Sequence, residues 1–600
     1  MKTIYISAFV ACVLLFSSCD KFLDRPPLTT IDDNTNAWVS EDNVRLYASK
    51  YYTDFFTGYG IGFNTEGATY LAYKHSDDIV RLGNQTTFLR AVPNAALWDM
   101  RNIRSTNIMI DRIQTRMKSI LSTEAQAHWL GIGRFFRAMQ YHELVMRYGD
   151  VPYYDFVVSD LDNNALYKAR TPRNEVMDAL YEDWKYAMAN VRVSDGEQNV
   201  NRYVVAAFVS RMAMQEGSWQ KYYYKNNERA KKFFNLAVEA SAMVMSSGRY
   251  DINTDYRSLF TSKDLKGNKE MVMYRVYDAA VSVMHSVASN SNFESSTNDG
   301  PSAELMKAYL CTDGDVYQFS TLADARKFDL TSMIKTRDSR FEATFYRLPD
   351  AMNRGALVYI NKFLPRDIEA RIKSGGGVPA EFVGDKNDTD APVFRYAEVL
   401  LNNIEAKAEL ETLGAGAVGQ ADIENTINKI RKRPIAAEAV GRGVKQTASL
   451  LLGSLPNDPS RDFTVSPLLW EIRRERRVEF TFEYSRIADL KRWSKLEYMD
   501  TDKNPSLLAG GWVNSAEIPT QARVAGQLSV VGLDGKVTVY NGSNLGDMNG
   551  FYRSTTNSGR LPFVNQVNIN PYLDPVGRTN VEFYRDRGYE LKQTAGWPQN

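Results

Sequence analysis

The sequence predicts a mainly α protein, a superhelix of repeated helix pairs carrying a loop-rich, irregular lobe with short strands. Three observations predict it. Apolar residues recur at intervals of three and four along much of the chain. Two stretches, residues 250–390 and 500–600, turn instead to Gly, Asn, Asp and Ser, with short strand-like runs such as Met271 to Val276 and Leu528 to Val531. A hydrophobic content of 44% over 600 residues supplies a large core.

The first element is an export signal. Met1 and Lys2 precede an apolar run from Ile4 to Phe16, then Ser17, Ser18 and Cys19: a charged start, a short apolar core and small residues before a cleavage point. The run is shorter than the roughly 20 residues a membrane-spanning helix needs. Leu15-Phe16-Ser17-Ser18-Cys19 reads as a bacterial lipobox with Phe16 where Leu is usual, which predicts removal of residues 1–18 and lipid on Cys19. Each buried acyl methylene contributes about 0.8 kcal/mol to anchoring. Residues 19–35, rich in Pro, Asp and Thr, form a tether. Residues 36–250 and 251–600 then form an N-terminal helical region and a C-terminal region with the loop-rich lobe, packed as one body.

Helices follow in pairs. From Asn102 to Ile120, Ile103, Asn107, Ile110, Ile113, Met117 and Ile120 make one amphipathic stripe. The next, from Thr123 to about Arg147, sets Trp129, Ile132, Phe136 and Met139 on one face and stops at Gly149-Asp150-Val151-Pro152. The same pattern recurs at 203–219, 227–246, 393–410, 420–432 and 466–496. Paired helices with Ala at contact positions, as at Ala237, Ala240, Ala397 and Ala408, resemble tetratricopeptide-type repeats in degenerate form.

Composition removes several function classes. Removing residues 1–18 takes away Lys2 and no acid, leaving 72 basic and 72 acidic residues, so there is no basic footprint for nucleic acid. Of Cys12, Cys19 and Cys311, only Cys311 stays as a thiol, which excludes an internal disulfide. His75, His128, His142 and His285 are scattered, which argues against zinc. No other metal or cofactor is expected, apart from one calcium alternative. Asp500-x-Asp502-x-Asn504 opens like a calcium loop, but Pro505 takes the glycine position and Gly511 that of the closing Glu, so a surface turn is preferred.

Nucleotide and hydrolase motifs fail individually. Thr65 stands where Gly60-x-Gly62 needs a third glycine, Gln420 replaces the Walker lysine after Gly414 to Gly419, and no Gly-x-Ser-x-Gly occurs. Glu471, Glu475, Glu479 and Glu483 are interleaved with Arg473, Arg474, Arg476 and Arg477, a salt-bridged seam rather than a catalytic pair. No catalytic residue is assigned. Much of the content of 34 Tyr, 28 Phe and 9 Trp must be core, and a surplus on loops would suit sugar faces.

Four motifs in order carry a resemblance: Cys19-Asp20-Lys21-Phe22-Leu23-Asp24 with Pro26-Pro27; Arg134-x-x-Arg137-Ala138-x-x-Tyr141 running on to Tyr148-Gly149-Asp150-Val151-Pro152; Arg395-Tyr396-Ala397-Glu398-Val399-Leu400-Leu401; and Glu475-Arg476-Arg477-x-Glu479-Phe480-x-Phe482-Glu483-x-x-Arg486-x-x-Asp489-Leu490-x-Arg492-Trp493. Together they resemble the SusD/RagB family of outer-membrane nutrient-binding lipoproteins over nearly all of the mature chain. Two features depart from it: Asp20 directly follows the lipid Cys, and Leu561-Pro562-Phe563 with Asn570-Pro571 only approximates the usual ending.

The resemblance implies a surface lipoprotein on the outer membrane that captures oligosaccharide, or a peptide, and passes it to a SusC-like TonB-dependent transporter. It places the ligand on loops matching Asp77 to Trp98 and Tyr277 to Phe293. The candidates are Trp98 for stacking, Asp77, Asp78 and Arg81 for hydroxyls, and Tyr277 and Phe293 by loop position. A tetratricopeptide-type scaffold for protein or peptide partners and a surface glycoside hydrolase are the alternative readings.

Overall fold

The computed structural model describes residues 37–63, 76–83, 91–95, 98–293, 299–345, 355–557 and 569–599. Cys19 and the Phe293 side chain lie outside this description.

The N-terminal frame opens with α1 (Glu41–Phe55), whose first turn is capped by Ser40 accepting from the Asn43 amide at 3.3 Å. Helices α2 (Arg101–Gln114) and α3 (Thr123–Tyr148) pair next. Gly133 permits their closeness, since a Cβ there would stand 2.9 Å from Ile110 Cγ1. Sequence periodicity extends the α2 stripe to Ile120, but the α-helix stops at Thr115, whose hydroxyl donates to the Asp111 carbonyl at 2.7 Å, and continues as a 3-10 turn. A helix absent from the periodic reading, α4 (Arg173–Asn190), packs on α3.

Helices α5 (Arg202–Tyr222) and α6 (Asn227–Met245) form the closest pair, with Gly217 of α5 lying under the Phe234 ring of α6. Against both lies α7 (Tyr396–Thr412), where the Asn402 and Asn403 amides donate to the hydroxyls of Ser210 and Ser241, each at 3.0 Å. These small polar contacts satisfy buried side-chain groups inside an otherwise apolar seam. The segment expected as helix from 393 instead begins in a strand.

That strand, β4 (Ala391–Arg395), pairs antiparallel with β2 (Met271–Arg275) and carries the lobe onto the helical frame. Elsewhere in the lobe β1 (Ile79–Arg81) pairs with β3 (Asp299–Pro301). A four-stranded antiparallel sheet follows the order β5 (Trp512–Val513), β8 (Gly550–Ser554), β6 (Leu528–Val531), β7 (Val537–Val539). The Leu528–Val531 run is a strand as the sequence indicates.

The helix expected from 466 to 496 is two: α8 (Pro467–Glu479) and α9 (Arg486–Arg492), separated where Phe482 takes φ 60°. The break turns Glu483 back toward Lys362 at 2.9 Å and Arg395 at 2.5 Å. The stretch 420–432 is also broken, at Thr426, whose hydroxyl donates to the Asp422 carbonyl. Along α8 the four-residue glutamate spacing becomes a buried seam. Glu475 meets Arg340 at 2.5 Å and Arg431 at 2.9 Å, while Glu479 meets Arg395 at 2.6 Å, Arg433 at 2.8 Å and Arg340 at 2.9 Å. Charges this deep persist because each is paired and hydrogen-bonded.

The last segment returns to the N-terminal helices. The Asp574 amide donates to the Arg147 carbonyl at 2.7 Å, those of Arg578 and Thr579 donate to Pro93 and Asn94, and Tyr584 of the helix α10 (Arg578–Arg585) stands edge-on to Tyr167 at 5.4 Å. Among the described residues no helix is long and apolar enough to cross a membrane.

Candidate ligand-binding site

Asp77 and Asp78 enter β1 and are welded to the end of the α8–α9 unit. Arg486 donates to Asp77 through Nε at 2.8 Å and Nη2 at 2.6 Å, and Arg477 Nε donates to Asp78 at 2.7 Å. Both carboxylates are buried, at 3% and 1% exposure. Burial pushes the Asp78 carboxyl up, with Arg477 opposing it. The pair expected to orient sugar hydroxyls is therefore a structural anchor at Asp78, with Asp77 alone also reaching a cavity wall. Arg81 is half-buried in β1 opposite Asp299.

Tyr277 is 4% exposed, and its hydroxyl accepts from the Tyr59 amide and donates to the Gly60 carbonyl, both at 2.8 Å. The His285 ring stands edge-on to it at 4.5 Å. His285 Nδ1 accepts from the Val287 amide at 3.3 Å and Nε2 donates to the Thr389 carbonyl at 2.9 Å, which fixes a neutral imidazole. Burial lowers its pKa to about 4. Tyr277 thus buttresses the 57–62 loop, where the sequence expectation was a ligand contact. Trp98 is half-buried with its ring edge-on to Tyr148 at 5.1 Å and the Arg170 guanidinium 5.7 Å away, so it packs where the final segment closes on α3. The loop candidates are not brought together.

What the structure does assemble is a cavity of about 500 Å³, inside the range of small-molecule sites. Its aromatic wall comes from α8 and the 3-10 turn after α9. Trp470 Nε1 donates to Asp458 at 2.8 Å, the Tyr498 hydroxyl donates to Asp462 at 2.6 Å, and the two rings stand at 72°. Trp493, with the Arg473 guanidinium 4.5 Å from its ring, lines the same cavity as Asp77 and Arg486. Tyr317 and Gln318 face these groups from the loop after the short helix Ala303–Ala308.

The cavity charges cancel. Six basic and six acidic side chains line it. All have an opposite charge within 4.0 Å: Arg474 pairs with Asp458, Lys307 with Glu304 at 3.1 Å, Lys503 with Asp500 at 3.8 Å, and Asp462 with Lys495 at 2.6 Å. Arg473 reaches Glu409 at 3.3 Å, and Glu497 reaches Lys495 at 3.4 Å. Burial pushes the Asp462 carboxyl up, but hydrogen bonds from Lys495, Tyr498 and Thr464 outweigh it and hold the group below the ordinary carboxylate range. Burial is likewise outweighed at Asp458, chiefly by Arg474, and at Glu304, chiefly by Lys307. The expected turn at Asp500 is closed by its own backbone, since its side chain accepts from the amides of Asp502 at 2.9 Å and Lys503 at 3.3 Å.

None of Trp470, Tyr498, Tyr317 or Gln318 was singled out by the sequence. Trp470 and Tyr498 flank a recognisable motif, but nothing local shows that two distant loops close over them. Comparisons with known proteins agree with the architecture. A model of the SusD family matches residues 259–557. A SusD-like protein of Formosa agariphila is 24% identical over 373 residues, covering 60% of this chain and 63% of that relative, so the match spans less than two thirds of its length. In crystal structures, a SusD-like carbohydrate-binding protein of Bacteroides fragilis superposes with TM-score 0.61 at 18% identity, over 90% of this chain and 98% of that one. A second SusD-like protein from the same organism gives 0.58 at 20%, over 96% and 100%. With the ordered motifs, the matched stretch and the helical frame in agreement, the chain belongs to the SusD/RagB family.

Proposed function

We propose that this protein is a cell-surface lipoprotein that captures oligosaccharide and delivers it to a SusC-like TonB-dependent transporter in the outer membrane. The observation that carries the reading is the cavity: aromatic rings set beside planar polar side chains, with every lining charge already matched. Such a surface removes apolar sugar faces from water and offers fixed hydrogen-bonding groups to hydroxyls at little entropic cost. The carbohydrate binding named for the B. fragilis relative supports it. Asp77, alone among the loop candidates, stays in the proposed site.

The reading is a binder without turnover. A hydrolytic general acid needs a carboxyl whose pKa is raised toward neutrality, and Glu304, Asp458 and Asp462 are shifted the other way. Lipid on Cys19, after a short tether, would hold the body at the membrane.

Affinity electrophoresis through gels containing starch, xylan, mannan, laminarin, pectin or alginate tests the capture. Wild type is slowed by at least one polymer, Trp470→Ala and Tyr498→Ala are slowed less, and no new reducing ends appear. Uniform mobility in every gel, or turnover that persists through repurification, rejects the reading. Cys19→Ala moves the protein from the membrane to the soluble fraction, and unchanged fractionation rejects the anchor.

A further inference from the structure

The floor and the rim of the cavity differ in a way that bears on what enters it. The floor side chains Asp77, Val316, Trp493 and Leu507 are at most 3% exposed, whereas Ser460 and Lys503 at the rim are exposed. From two separate loops the chain passes directly from a lining residue to a bare ring. Gln318 lines the wall and Phe319 is 53% exposed; Asp462 lines it and Phe463 is 83% exposed. The Arg461 guanidinium lies 5.1 Å from the Phe463 ring while donating to the Val465 carbonyl at 2.7 Å, which restrains the loop beneath that ring. Single exposed apolar residues are ordinary, but here two exposed rings each follow directly on a side chain that lines one concave polar site.

We infer that the cavity receives the terminal unit of a neutral glycan chain and that Phe319 and Phe463 form an outer shelf for the units that follow. The inference rests on the glycan-capture reading and specifies the ligand. Trp493 and Leu507, the most buried of the apolar lining side chains, close the inner side of the site in this reading, so that an end enters rather than a mid-chain segment. The matched charges set the class. A carboxylated or sulfated sugar would find every lining guanidinium and ammonium already facing a carboxylate, and would lose its hydration for a reduced electrostatic return. Hydroxyl groups need no net charge, and the fixed side chains of Asp77, Gln318 and Asp462 offer acceptors beside the aromatic wall. Outside the mouth the glycan is back in water, where stacking on an exposed ring is the contribution that survives.

The test uses partial hydrolysates of starch, xylan, mannan and laminarin, with pectin and alginate hydrolysates as acidic probes, separated by size and titrated calorimetrically against the whole mature protein. The expected result is retention of a neutral hydrolysate with one protein molecule per chain at both short and long lengths. Ser460→Trp, which fills the exposed rim, abolishes binding. Phe319→Ala and Phe463→Ala each weaken the longer oligomers about tenfold while leaving the shortest bound fraction unchanged. All three positions are exposed, so each variant melts like wild type. Several protein molecules on one long chain, retention of acidic hydrolysates alone, or binding indifferent to Ser460→Trp and both Phe variants overturns the inference and leaves capture standing. Retention of no carbohydrate overturns capture, and this inference with it.

Discussion

The Asp77 carboxylate and the Arg486 guanidinium form a two-pronged ion pair at 2.8 and 2.6 Å across 409 residues of sequence. It ties β1 to the start of α9, and both side chains are buried. Asp77→Ala removes the two-pronged partner of the buried Arg486 and should cost about 3–5 kcal/mol, whereas the apolar pair Asp77→Leu with Arg486→Met should recover part of that loss. Urea unfolding of wild type and the two variants measures it, and an unchanged midpoint for Asp77→Ala would contradict the account.

Trp98→Ala should lower stability by about 2 kcal/mol, less than full burial of such a ring would give, because the side chain is half-buried against Tyr148 and Arg170. In the folded fraction glycan affinity should stay within twofold of wild type. A normal melt with lost affinity would instead return Trp98 to the binding site.

Stability should fall as pH drops from 6.5 toward 4. Burial lowers the pKa of His128 to about 4, of His142 to about 3 and of His285 to about 4, with Asp195 opposing at His128. In this window the unfolded chain binds more protons than the folded one, so the stabilisation is present above the unfolded pKa and lost as pH falls through the folded values. His285 alone should account for on the order of 3 kcal/mol. A second loss runs from about pH 4.5 down to about 2, because Glu405 and Glu479 are held down to about 2 by Arg492 and by Arg433 and Arg395 against their burial and protonate first in the unfolded chain. Urea midpoints at intervals from pH 7 to 4 read the first window, and a flat profile would refute it.

Gly217→Ala should destabilise by about 1–3 kcal/mol, because a methyl group there lies 2.6 Å from Phe234 Cδ1 in the tightest helix pair. Adding Phe234→Leu should restore part of the loss. Additive losses in the double variant would mean that the two helices separate freely.

The helical frame was legible because its signals are local. The Trp129, Ile132 and Phe136 face and the Gly149 stop are written within α3 itself, and the glutamate spacing of α8 marked a salt-bridged seam. The partners of that seam were not legible, since Arg340, Arg395 and Arg433 come from three other segments. Val393 and Phe394 continue the apolar stripe of α7, yet pairing with β2 takes them into a strand, a case of tertiary contact overriding period. The cavity was hidden for the same reason: Tyr317, Trp470 and Tyr498 converge only after the lobe folds over α8.

The returning segment has a consequence for biogenesis. The carbonyls of Pro93, Asn94 and Arg147 receive their partners from Arg578, Thr579 and Asp574, near the end of 600 residues. The N-terminal helices can collapse early, but their outer seam stays open until residues 574–579 have been synthesised. A chain arrested before that point would therefore present an unsealed edge, accessible to chaperones and proteases.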